Sequence, residues 1–126
     1  MAKSFYELRI WQKGYELLMK VYDITAKHPP EEKYALISDM RRSANSVIAN
    51  IAESHGRYYF ADKVRVLYTA RGEAEETRSH IRVSFGRNYI SKDEFEYLDK
   101  NYEELCKGIS AYIQKIMSQK SNSPIN

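Results

Sequence analysis

Seven apolar residues, Phe95, Leu98, Tyr102, Leu105, Ile109, Tyr112 and Ile116, recur at strictly alternating spacings of three and four near the end of this 126-residue chain. That alternation puts them on one stripe of a helix, since a strand would need period two. A stripe roughly six turns long is covered most simply by other helices. Ser91 stands where an N-cap belongs, and Glu94 three residues later completes a capping box. The helix is expected to end before the polar run beginning at Gln119, so that residues 1–119 form one domain and 120–126 a flexible tail.

Three similar segments precede it. Leu8, Trp11, Tyr15, Leu18 and Tyr22 form an amphipathic stripe, broadened by Ile10, Leu17, Val21 and Ile24. His28-Pro29-Pro30 stops this helix, because proline lacks the donor a helix needs. Glu31-Glu32 is expected to open the second helix, where carboxylates favour the positive end of the dipole, and His55-Gly56-Arg57 to close it. A third should run from Ala61 or Asp62 to Asn88, anchored by Val64, Leu67, Ala70, Ala74, Ile81 and Phe85. Either its seam drifts toward Ala70 and Thr77, or Arg71 and Arg78 enter an interface. No segment alternates convincingly with period two and the connections are short, so the expected class is all-α, an up-down-up-down antiparallel four-helix bundle.

The second helix carries no charge between Arg42 and Glu53. Met40, Ala44, Val47 and Ile51 make its apolar stripe, but Ser, Asn and Ala fill the positions where a solvated helix shows charge. Small uncharged side chains let another backbone come close. This helix is therefore expected to be covered on more than one side, as in a homo-oligomer.

Hydrophobic residues at 43% and charged residues at 29% describe an ordinary globular chain rather than a disordered one. A net charge of +3 is mild for a dedicated nucleic-acid binder. The single cysteine, Cys106, excludes an internal disulfide and a Cys-rich zinc site. With no signal core and no apolar run of roughly 18 residues, a cytoplasmic protein without membrane contact is expected. His28, His55 and His80 are scattered, and Glu76 with His80 shares one helix face without further ligands. Cys106 has no catalytic neighbour in sequence, and no Gly-rich phosphate loop is present. The expectation is no catalytic residue, no metal and no cofactor.

Two clusters could bind a polyanion. Arg71, Arg78 and Arg82 share a face of the third helix and, with Lys63, could follow a phosphate backbone, unless Glu75 and Glu76 neutralise them. Arg57-Tyr58-Tyr59-Phe60 joins a cation to aromatic rings that could stack on bases or pack a bundle corner.

The segment from Ser43 to Glu53 with Gly56-Arg57, and Tyr68-Thr69-Ala70-Arg71-Gly72 with Glu76-Thr77, resemble a bacterial family of four-helix bundles. Its members are encoded in intervening sequences of 23S rRNA genes and are often labelled S23 ribosomal proteins. Trp11, Pro29, Asp62-Lys63 and Asn88-Tyr89-Ile90 extend the likeness over nearly the whole chain, while Glu73 and Ala74 replace the family's usual small serine and leucine. The resemblance implies a homo-oligomer, most simply a pentamer. It also implies similarity to accessory proteins of diversity-generating retroelements, which are thought to bind nucleic acid and a reverse transcriptase. It implies no established activity.

In such a ring Arg41, Arg42, Asn45, Ser46, Asn50, Glu53, Arg71 and Glu76 are expected to make polar contacts where helices meet, with carboxylate or amide partners for the arginines. The expected function is a non-enzymatic oligomeric accessory factor that binds RNA or DNA through Arg57, Tyr58, Tyr59, Lys63, Arg71, Arg78 and Arg82. The alternative is a protein-docking scaffold that touches no nucleic acid.

Overall fold

A computed structural model describes residues 2–121 as four helices: α1 (Arg9–Thr25), α2 (Leu36–Gly56), α3 (Phe60–Gly86) and α4 (Lys92–Ser121). Short 3-10 turns at Phe5–Glu7 and Pro30–Glu32 precede α1 and α2. α2 packs between α1 and α3, α4 lies along α3, and α1 closes the bundle more lightly on α4. With no strand among the described residues, this is the all-α four-helix bundle expected from the periodicity.

In α4, Leu98, Tyr102, Leu105, Ile109 and Ile116 are buried, but Ile113 takes the inward place and Tyr112 and Phe95 move to the edge. A helix at 3.6 residues per turn drifts away from a strict seven-residue repeat, and the stripe shifts accordingly. The capping box forms as expected: the Ser91 N–H donates to Glu94 Oε1 at 2.8 Å and the Glu94 N–H to Ser91 Oγ at 3.1 Å. Those contacts, the backbone one foremost, hold the Glu94 carboxyl below its ordinary value. The helix continues through Ser121, whose hydroxyl donates to the Met117 carbonyl. Gln119, Lys120 and Ser121 are thus helical, and 122–126 of the expected tail lie outside the described residues.

The second helix starts later than its acidic pair suggested. Glu31 and Glu32 sit in their own 3-10 turn behind Pro29-Pro30, and Ala35, at φ −126° and ψ −104°, separates that turn from α2. Glu32 instead accepts a 2.8 Å hydrogen bond from Tyr89 at the α3–α4 corner.

The first helix is rotated relative to its expected stripe. Gly14, Leu17, Leu18, Val21, Ile24 and Thr25 face inward, while Tyr15 and Tyr22 are 45% and 44% exposed. Gly14 sets this rotation, because a Cβ there would lie 2.5 Å from Ile48 Cγ2 of α2. The α1–α4 approach is also close, with a Cβ on Gly108 falling 3.3 Å from Ile10.

The seam of α3 drifts, burying Ala70, Ala74, Thr77, Ile81 and Ser84. Thr77 donates a buried 2.8 Å hydrogen bond to Ser43 of α2. At the end of α3, Asn88 adopts φ 62° and the Tyr89 N–H reaches the Ser84 carbonyl at 2.9 Å, a closure that asparagine tolerates.

Candidate functional site

Three arginines of α3, Arg71, Arg78 and Arg82, have partners within the bundle. Arg78 bonds Asp99 at 3.2 Å and Glu75 at 3.0 Å and lies 3.6 Å from Glu103. Asp99 foremost among these raises the guanidinium pKa above its usual value. Arg82 shares Asp99 at 3.5 Å and lies over the Phe95 ring. Arg71 donates to Ser110 of α4 at 2.8 Å and lies against Tyr68. Of the two readings of this face, the neutralised one describes Arg78: its charge ties α3 to α4 and leaves little for a phosphate.

The polar residues of α2 divide three ways. Arg42 pairs with Glu73 and Glu76 of α3, and Glu76 also meets His80 at 3.3 Å. Arg41 donates to Thr25 at 2.8 Å and stacks over Tyr22 of α1 at 4.7 Å. Within the single chain, Arg41 and Arg71 take hydroxyl and ring-face partners rather than carboxylates or amides. Asn50 turns back onto Ser46 within α2, and Glu53 pairs with Arg57 across the helix end, so these three bridge no helices. Asn45 and Ala49 are exposed on the outer face.

Beside that uncharged face runs an aromatic one. Trp11 stacks on Tyr15 with ring centroids 5.3 Å apart, and Phe5 meets Trp11 edge-on at 5.2 Å. Met19 and Tyr22 continue it along α1, both exposed.

The α2–α3 corner brings Arg57, Tyr58 and Tyr59 to the surface. Tyr58 is 73% and Tyr59 56% exposed, their rings edge-to-face at 5.0 Å. The packing reading of this corner fits Phe60 alone, which leans on the core. Lys63 donates to the carbonyls of Ser54 and His55 at 3.3 and 3.1 Å, closing the end of α2, and burial lowers its pKa. Beside it opens a cavity of about 280 Å³ between the chain start, the corner and α4. Lys63, Lys115, His55, Tyr112 and Gln119 supply its polar lining, and among the described residues no carboxylate lines it. The sequence placed Tyr112 in the apolar stripe and Gln119 at the start of the polar run and did not single out either of them, or Lys115, for binding, although their spacings of three and four put all three on one face of α4.

Charge is segregated accordingly. The end of the bundle built from residues 2–12, 49–69 and 109–121 carries seven basic and three acidic side chains, against thirteen and fourteen in the rest. Away from that end, Cys106 donates to Glu75 at 3.2 Å, and burial followed by that carboxylate pushes its thiol up to about 12. Among the described residues no three metal-ligating side chains gather, and no helix is long and apolar enough to cross a membrane.

These features define a helical-bundle module with a cationic, aromatic end. Residues 6–111 match the family model of the 23S rRNA-intervening sequence protein, and the chain belongs to that family. A solved structure of a protein of unknown function from the S23 ribosomal protein family, from Bacteroides thetaiotaomicron, has the same fold with TM-score 0.76 and 24% identity. The likeness covers 82% of this chain and 97% of that one. No curated protein matches it in sequence.

Proposed function

We propose that this chain is a non-enzymatic, self-associating bundle that binds RNA or DNA at its cationic end. The observation that carries the reading is the charge imbalance at that end, where Tyr58 and Tyr59 stand exposed beside a half-buried Arg57. Exposed rings stack on bases without regard to sequence, and basic side chains neutralise phosphates. The family's link to an rRNA intervening sequence makes RNA the first polymer to test. Self-association is supported by the aromatic side of α1 lying next to the uncharged side of α2, since aromatic rings are enriched and charge depleted at the centre of interfaces. The resemblance adds an expected pentamer.

Fluorescence anisotropy with a labelled RNA tests the binding, and light scattering tests the assembly. Binding at low salt that weakens in Arg57→Gln/Tyr58→Ala/Tyr59→Ala, with Arg78→Met near wild type, supports the reading. No RNA or DNA binding even at low salt removes it and leaves the protein-docking scaffold, for which a nuclease-treated pull-down should recover one defined protein.

A further inference from the structure

We infer that the cavity at the cationic end takes a phosphate monoester carried on a small, partly apolar body. This chemistry is shared by a free nucleoside monophosphate and the phosphorylated 5′ end of an RNA. The inference deepens the reading above by naming the group bound, and in its RNA form rests on it. A cavity of about 280 Å³ stands at the small end of ligand sites, so it admits one nucleotide-sized group and not the length of a polymer.

Its polar lining suits an anion. Lys63 spends two of its three N–H donors on the end of α2, which leaves one for a ligand. Its ammonium is partly stripped of water, with no carboxylate among the described residues of the cavity wall to compensate it. Across the cavity, Lys115 and Gln119 stand one turn apart on α4, with Tyr112 one turn before. Two ammonium groups and neutral donors around one space are what a doubly charged phosphate needs. Phe60 and Ile116 supply apolar wall for a sugar or base. The groove between α1 and α4 at the opposite end has about 390 Å³, but there Asp23, Asp93 and Glu94 stand against Lys20 and Lys27, so its wall lacks the excess of positive charge that a phosphate needs.

The test is calorimetric titration of the full chain with AMP and with adenosine, alongside anisotropy with one short RNA carrying either a 5′-phosphate or a 5′-hydroxyl. The phosphate should tighten binding about tenfold or more in at least one arm, the loss expected when a charge-assisted contact is removed. Lys115→Gln should abolish that preference with an unchanged circular-dichroism melt; Lys63→Gln is less clean because it also frees the end of α2. A preference for AMP alone identifies a free nucleotide, and one in the RNA arm identifies the polymer end. No phosphate preference in either arm, or one that survives Lys115→Gln, overturns the inference. RNA that binds equally with either 5′ end then leaves the cationic-end reading standing, whereas AMP bound without RNA removes that reading and keeps the cavity.

Discussion

Gly14 and Gly72 occupy the interiors of α1 and α3, yet alanine should act on them in opposite directions. At Gly14 the added methyl meets the stiff, β-branched Ile48, so Gly14→Ala should cost about 1–3 kcal/mol by overpacking. Around Gly72 nothing lies within 4 Å, and Gly72→Ala should gain about 0.5–1 kcal/mol by restricting the unfolded chain. Urea denaturation of both variants reads the contrast. Spacing alone cannot distinguish the two, because what separates them is the distance to a neighbouring helix. Tyr102 was legible as core, but its buried hydroxyl, which has no hydrogen-bond partner among the described residues, was not. Burial raises its pKa above the ordinary 10.0, so the unfolded chain ionises first and stability falls as pH rises past that value. Tyr102→Phe should abolish this tyrosine's share of the alkaline loss and, at neutral pH, stabilise by about 1 kcal/mol, as measured by thermal melts at pH 7 and 11. Cys106 should react with iodoacetamide at pH 8 about tenfold or more slowly in the folded chain than in urea, since only the thiolate attacks.

Elements were read best where a local chemical signal stood beside the periodicity. Ser91 and Glu94 announced the start of α4 and bond each other as that pattern requires. Ser91→Ala should cost about 1 kcal/mol, seen as a lower urea midpoint with an unchanged slope. Because Glu94 is held below the ordinary carboxylate value of 4.5, its contribution is present above that pH and fades as pH falls through the lowered value; Glu94→Gln should reduce this acid sensitivity. Where the signal was only apolar spacing, the helix was found but its rotation was not. The stripe through Tyr15 and Tyr22 lies on the flank of α1, because the close approach at Gly14 turned Leu17, Val21 and Ile24 inward. The acidic pair before α2 misled for a related reason: proline spacing confined it to a turn.

For the molecule as a whole, the bundle was legible from four periodic segments, whereas its polarity was not. The cationic end draws its charge from three separated stretches of chain, and a net of +3 conceals it. If RNA binds there, log affinity should fall linearly with log salt, by roughly 0.7–0.9 for each phosphate neutralised. Lys115→Gln should flatten that slope if its ammonium faces phosphate, and Arg78→Met should leave it unchanged. The aromatic side of α1 should govern assembly separately: Tyr15→Glu should lower the mass seen by light scattering and leave the helical content intact. That side lies along the bundle's length, whereas Tyr58, Tyr59 and Lys63 lie at its tip. Copies joined flank to flank around a rotation axis would therefore point every tip the same way, giving a positively charged crown on one rim and a near-neutral rim opposite, so that a strand could circle the assembly on one face only.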